Sequence, residues 1–378
     1  MRSILYILIL PILALAVTGC SDASIKHYNL GIEAADSGDI DRAISEWKES
    51  LEHRYDDSDT QYNLGMALLE KELYDDAAVH LLEAARLSPD DNEIQYACGK
   101  ALEAKGALPE AKKAYRLSIT LKPNYFPPYI GIASIAMKQE QYRTAEKYAT
   151  QALNISMRNL EGNLILSEAY FMQGNLQEAY AQLLSIRHMF PREPALLLLM
   201  GKVLSERHMH EDAIATLRLA KANGATGGDL FLYMGRSSYT LSQYNNAEKF
   251  FQLALYGNDT DIRALKGLAE TRFKRGDYDK SLKTWKEISS ISPMNMEAKL
   301  GIGMIYINTG RSEEAESILG ALAEEEDFPP RTLYYLGHAL MRTGKKAEAR
   351  ESFEEFLKTW EGDRALISEV KDIIITLQ

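Results

Sequence analysis

The chain has 378 residues with 43 Lys and Arg against 54 Asp and Glu, a formal charge of −11; that balance disfavours a general nucleic-acid binder, whose phosphate contacts need a basic surface. Apolar residues make up 46% and charged residues 26%, a composition that folds instead of staying disordered. Two cysteines exclude a disulfide scaffold and a four-thiolate zinc site, and seven scattered histidines leave little for a metal enzyme.

Met1-Arg2-Ser3 supplies a positive charge, and Ile4 to Val17 follows without any. This run is too short for a helix crossing a bilayer core of about 30 Å, which takes roughly 20 residues, and it suits the apolar core of a secretory signal. It closes as Leu15-Ala16-Val17-Thr18-Gly19-Cys20. A small residue before a cysteine, behind an apolar run, resembles the lipobox of bacterial lipoproteins. The resemblance implies that residues 1–19 are a signal peptide that is removed. Cys20 then becomes the new N-terminus, with diacylglycerol on its thiol and a fatty acyl chain such as palmitate on its amine, and residues 20–23 form a short tether. More than one acyl chain is what stable anchoring requires. Ser21, with Asp22 only after it, favours the periplasmic face of the outer membrane by the sorting pattern of diderm bacteria. The other cysteine, Cys98, falls on an apolar helix face and is expected to be a small core residue, not a reactive thiol.

Everything after the tether repeats. Tyr28-Asn29-Leu30-Gly31 recurs 34 residues later as Tyr62-Asn63-Leu64-Gly65, and the step of 34 continues without an insertion. The small residue falls at Gly31, Gly65, Gly99, Ala133, Ser167, Gly201, Gly235, Ala269, Gly303 and Gly337. Twelve residues after each comes another small one, from Ala43 to Ala349, and four beyond that a residue that is usually large: Trp47, Leu81, Tyr115, Ala149, Leu183, Leu217, Phe251, Trp285, Leu319 and Phe353. The spacing puts each set on one face of a helix, two helices per unit, with the small residue allowing close approach and the larger one filling the space. Glycine-bearing turns such as Ser37-Gly38-Asp39, Lys105-Gly106 and Thr343-Gly344-Lys345 lie between the helices.

This pattern resembles the tetratricopeptide repeat family, whose unit is a helix-turn-helix. The resemblance implies an all-α fold, a right-handed α-solenoid of ten repeats over residues 24–363, starting at 24, 58, 92, 126, 160, 194, 228, 262, 296 and 330. Residues 364–378 read as a closing helix whose apolar face is Leu366, Val370, Ile373, Ile374 and Leu377. Such caps shield the open end of a repeat array. Repeats, tether and cap occupy the secreted chain, so no catalytic domain and no cofactor site are expected.

Gly301-Ile302-Gly303 lacks the third glycine of a dinucleotide fingerprint, and the glycine-rich segment 223–228 lacks the Lys-Ser or Lys-Thr of a phosphate loop. That segment is expected to be a flexible joint between the sixth and seventh repeats. His208 and His210 beside Glu206, Glu211 and Asp212 are read as a turn; no metal site is expected.

Binding is better supported. In this family the first helices line a concave groove that takes peptides or helices, through sites two, five, nine and twelve residues into each unit. Tyr28, Tyr62 and Tyr96 share the fifth site, where tyrosine serves either helix packing or a peptide-binding stripe. Lys202, Arg236, Tyr239, Arg263, Lys266, Phe273 and Lys274 form a candidate basic and aromatic patch in the sixth to eighth repeats, suited to an acidic peptide or an anionic polysaccharide, or else an ordinary solvated face. The clamp by which some family members grip chaperone C-termini is absent: Asn63 matches, but Tyr28, Ile32, Glu93 and Ala97 stand at its other positions. The expectation is therefore a non-enzymatic, membrane-anchored scaffold for protein–protein interaction in the bacterial envelope, serving assembly of a secretion, type IV pilus or exopolysaccharide-export machine. The alternatives are an adaptor for cell-wall enzymes and a direct binder of anionic polysaccharide. Acidity concentrates beside the anchor, with 6 basic and 17 acidic residues in 24–91.

Overall fold

The computed structural model describes residues 23–377, and among them it contains 21 α-helices and no strand. The signal segment and the Cys20 lipidation site lie outside the described residues. Helices pair as hairpins: α1 (Ala23–Asp36) with α2 (Ile40–His53), α3 (Ser58–Glu70) with α4 (Tyr74–Leu87), α5 (Asn92–Lys105) with α6 (Leu108–Leu121), and α7 (Pro127–Lys138) with α8 (Tyr142–Ile155). After α9 (Leu160–Met172) and α10 (Leu176–Arg187) come α11 (Pro194–Glu206) with α12 (His210–Ala222), α13 (Gly228–Thr240) with α14 (Tyr244–Ala254), and α15 (Ile262–Lys274) with α16 (Tyr278–Ile291). Then follow α17 (Met296–Asn308) with α18 (Ser312–Ala323), α19 (Arg331–Arg342) with α20 (Lys346–Thr359), and α21 (Arg364–Thr376).

The fold is an α-solenoid of stacked helix pairs, and it divides into two compact units, Met1–Ala169 and Tyr170–Gln378. The division falls within α9, not at the glycine-rich segment 223–228. There Ala225 is buried in a core with Leu217, Leu230 and Tyr233, which ties the segment to both neighbouring helices. Within each unit every hairpin packs on the next, and α3, α5 and α7 in the first unit, like α11, α13 and α15 in the second, also touch in succession. The first helices therefore form the inner layer of each stack. No helix among the described residues is long and apolar enough to cross a membrane.

Helix starts have local causes. Asp57 accepts the Thr60 amide at 3.1 Å, Asp91 the Glu93 and Ile94 amides at 2.8 and 3.1 Å, and Asn295 the Ala298 amide at 2.8 Å, the capping that satisfies otherwise orphaned N–H groups. The fourth residue of successive repeats then closes the loop before it. Gln61 donates to the Tyr55 carbonyl, Gln95 to Pro89, Tyr129 to Pro123 and Asn163 to Met157, all at 2.9–3.1 Å.

One contact recurs along the array. The side chain sixteen residues after the repeat glycine fills the notch that the glycine leaves: Trp47 against Gly31, Leu81 against Gly65, Tyr115 against Gly99, Leu217 against Gly201, Phe251 against Gly235, Leu319 against Gly303 and Phe353 against Gly337. A Cβ on Gly235 would lie 2.8 Å from Phe251 Cδ1 and Cε1. The far side of the same ring presses on the following repeat, since Tyr115 also meets Gly131, Phe251 meets Gly267 and Trp285 meets Gly301. Each of these three is thus a wedge between its own hairpin and the next. At the end, α21 lays Leu366, Val370, Ile373, Ile374 and Leu377 against a core that holds Phe353 and Phe356.

The turn inside the hairpin needs one residue at positive φ. Glycine supplies it at Gly38, Gly106, Gly174, Gly276, Gly310 and Gly344, but Glu72, Glu140, His208 and Ser242 take the same place with φ of 56 to 62°. A left-handed conformation costs a residue with a Cβ about 1–2 kcal/mol. This accounts for His208 as a turn residue.

Two outcomes are expected from this packing. Gly235→Leu forces Phe251 aside and should destabilise by about 1–3 kcal/mol, read as a lowered urea midpoint, with Gly235→Ala giving a smaller loss. Glu140→Gly relieves backbone strain at an exposed turn and should stabilise by up to about 1 kcal/mol, read as a raised Tm.

Candidate functional site

In the first unit the inner layer carries tyrosines. Tyr28, Tyr62 and Tyr96, each at the fifth place of its repeat, are half-buried. They are joined by Tyr125, which sits in the loop before α7 with its ring edge-on to Tyr96 at 5.6 Å. Tyr28 accepts a hydrogen bond from Asn63 Nδ2 at 3.3 Å. The hydroxyls of Tyr62, Tyr96 and Tyr125 have no hydrogen-bond partner among the described residues. Asp59 and Glu93, on the inward second site, likewise form no ion pair there.

The electrostatics of this face are negative. Burial, then Glu93 and Asp91, raises the Tyr62 hydroxyl, and burial, then Tyr125 and Glu161, raises Tyr96. Burial, with Glu93 next, pushes Tyr125 up to about 12. Partial burial and the neighbouring Asp57 and Asp91 raise the Asp59 carboxyl. Each shift resists placing a further negative charge on the face. Two cations temper it from the side, Lys100 Nζ at 6.0 Å over the Tyr96 ring and Lys122 Nζ at 5.5 Å over Tyr125. The face therefore offers aromatic rings, unsatisfied hydroxyls and carboxylates together, a chemistry suited to a cationic side chain.

The second unit differs from its sequence reading. Lys202 bonds Asp229 at 2.6 Å, and Arg263 reaches the same carboxylate at 3.0 Å and Asp261 at 2.8 Å. Arg236 pairs with Glu206 at 2.6 Å and Lys266 with Glu297 at 2.7 Å. Four of the five candidate cations thus hold carboxylates from the neighbouring repeat, and the patch is a charge-compensated ladder, not an open positive surface. Among the described residues Lys274 is the one candidate cation exposed without an ion pair, and Glu270 lies within its electrostatic reach. The aromatic members are packing residues: Phe273 lies edge-on to Tyr278 at 5.4 Å in the Trp285 core, and Tyr239 contacts Tyr244 at 5.8 Å. Cys98 is a free, buried cysteine whose thiol burial pushes up to about 11, which suppresses thiolate chemistry.

The pairing becomes visible in the sequence only when the cations are set against the acids one repeat step away. The inward second site holds Asp59, Glu93, Glu161, Asp229 and Glu297, so the signal was present. Tyr125 belongs to a loop and not to the 34-step stripe, and sequence spacing had no means of placing it.

Comparisons with known proteins fit this architecture. Models described as tetratricopeptide repeat match residues 28–92, 62–126 and 266–329, a second 136–202 and a third 330–359. The chain belongs to the tetratricopeptide repeat family. Tetratricopeptide repeat protein 21B of Xenopus laevis is 20% identical over 282 residues, 68% of this chain and 21% of its own length. The chain spans less than half the length of each curated relative it matches. Among solved structures, a tetratricopeptide repeat protein from Parabacteroides merdae shares 14% identity with a TM-score of 0.53, covering 66% of this chain and 99% of its own. PilF of Pseudomonas aeruginosa shares 14% identity with a TM-score of 0.51, covering 56% and 97%. These likenesses establish the fold. As a tetratricopeptide array the chain is a scaffold for protein–protein interaction.

The ladder has a pH signature. Burial opposes ionisation of Asp229, but the hydrogen bonds and charges of Lys202 and Arg263 outweigh it and hold the carboxyl below its ordinary range. Its contribution is present above the ordinary aspartate pKa of about 3.9 and is lost as pH falls through the depressed folded value. Asp229→Asn should therefore lower the thermal midpoint at pH 7 and leave a smaller further loss below about pH 4 than in the unaltered protein.

Proposed function

We propose that this tetratricopeptide protein is a lipid-anchored scaffold of the bacterial envelope, held at the periplasmic face of the outer membrane through Cys20. The inner face of its first unit takes an extended protein segment bearing Lys or Arg. The observation that carries the binding surface is the set of half-buried tyrosines Tyr62, Tyr96 and Tyr125, whose hydroxyls bond no other group among the described residues, beside Asp59 and Glu93, which form no ion pair there. A partner's cationic side chain supplies the charge these carboxylates lack, and its stem covers the rings. The anchor is supported by the positive start, the short apolar run and the small residues before Cys20. Service to a secretion, type IV pilus or exopolysaccharide-export machine rests on joining such an anchor to such a scaffold, an analogy of fold. The polysaccharide alternative draws less support, because the cations that motivated it already hold carboxylates.

The reading is checked in the native envelope. A photo-crosslinking residue in place of Tyr62 should capture a defined protein, and one in place of Lys266 should not. Cys20→Ala should move the protein out of the membrane fraction. In solution, an extended Lys- and Arg-rich peptide should bind the full chain and lose at least about tenfold in affinity when Tyr62→Ala and Tyr96→Ala are combined, or when salt is raised. Equal binding of a Glu-substituted peptide overturns the proposed groove chemistry.

A further inference from the structure

The first hairpin brings together three side chains that the groove does not use. His27 lies on α1, and Glu49 and His53 lie one turn apart on α2. Each offers one ligand atom, and the three atoms lie within 4.8 Å of one another. His53 Nε2 stands 3.9 Å from Glu49 Oε1, and the two imidazoles are stacked with centroids 6.0 Å apart. We propose that His27, Glu49 and His53 form a binding site for a divalent transition-metal ion of the zinc class.

The donor set selects the metal. Two imidazole nitrogens and one carboxylate oxygen suit zinc, nickel or copper, whereas calcium and magnesium take oxygen ligands. Ligand atoms around a tetrahedral zinc lie about 3.3 Å apart, given bonds of about 2.0–2.1 Å. The closure needed is about 1 Å or somewhat more. It falls to Glu49 and His53, which are exposed at the surface of α2 and can turn about their side-chain torsions without moving backbone.

A further carboxylate prepares the third ligand. His27 Nδ1 bonds Glu46 Oε2 at 2.8 Å. Because a carboxylate only accepts, that nitrogen carries the hydrogen, and Nε2 is the one left to ligate. A carboxylate on the far nitrogen of a metal-binding histidine fixes the tautomer and raises its basicity. Glu46 is itself held by Arg42 Nε at 3.8 Å. Three protein ligands leave one coordination position open to water or a partner's side chain. The other histidine pair lacks these features: His208 is set by its turn, and both nitrogens of His210 are buried without a partner. A bound ion would tie α1 to α2.

The test uses the full chain in detergent, purified without a polyhistidine tag and stripped with chelator, and titrated with zinc chloride by calorimetry. One site per chain with a micromolar Kd is expected, along with slower amide exchange in α1 and α2. His27→Ala and His53→Ala should each weaken binding by at least about tenfold, and Glu46→Gln, which leaves every ligand in place, by about 10- to 100-fold. His208→Ala should change nothing. With copper as the probe, paramagnetic resonance should report two nitrogen donors in the unaltered chain and fewer in either variant. Since His53 is exposed, its variant should keep the helical circular dichroism of the parent. Absence of saturable zinc binding, or binding unchanged when His27→Ala and His53→Ala are combined, overturns the site.

Discussion

The architecture depends on a side chain lodged between two glycines. Phe251 occupies the notch of Gly235 in its own hairpin and presses on Gly267 in the next, and Tyr115 does the same between Gly99 and Gly131. An added methyl at such a glycine has nowhere to go but into the ring. One residue thus fixes both how two helices close into a hairpin and how that hairpin sits on its neighbour. Dispersion and apolar burial at this point are shared between intra-repeat and inter-repeat contacts, which is how a structure without a single central core remains cooperative over neighbouring repeats.

Regular packing frees the inner face for other uses. The second site of the first helix is acidic in several repeats. In the second unit the acids meet cations from the adjacent repeat, as Asp229 meets Lys202 and Arg263, and the charge is spent internally. In the first unit Asp59 and Glu93 have no such partner among the described residues and stand beside tyrosine. The same backbone template therefore yields a self-satisfied surface in one unit and a receptive one in the other, and the difference lies in a handful of side chains.

The helical solenoid was legible in the sequence because its cause is periodic. The small residue at Gly31 and its successors and the filler at Trp47 and its successors recur at one spacing, and a spacing survives without knowledge of contacts. Pairing did not, since Lys266 and Glu297 or Arg236 and Glu206 are about 30 residues apart and each looks free when read alone. The loop residue Tyr125 escaped for the opposite reason, belonging to no period. His27 and His53, on separate helices of the first hairpin, meet only once that hairpin has closed. The left-handed turns were visible where glycine marked them and invisible at Glu72, Glu140 and Ser242, where an ordinary residue accepts the strain.

The shared wedge also bears on how such a chain can change over generations. At Tyr115, Phe251 and Trp285 the socket is shared between the side chain's own module and the following one, so duplicating or excising one whole module rebuilds the junction, whereas losing a single residue in a helix rotates the later side chains of that helix out of theirs. Array length is thereby a heritable variable that moves in quanta, and α21, lying against the core around Phe353 and Phe356, shows that a single helix can take the seat a further module would use.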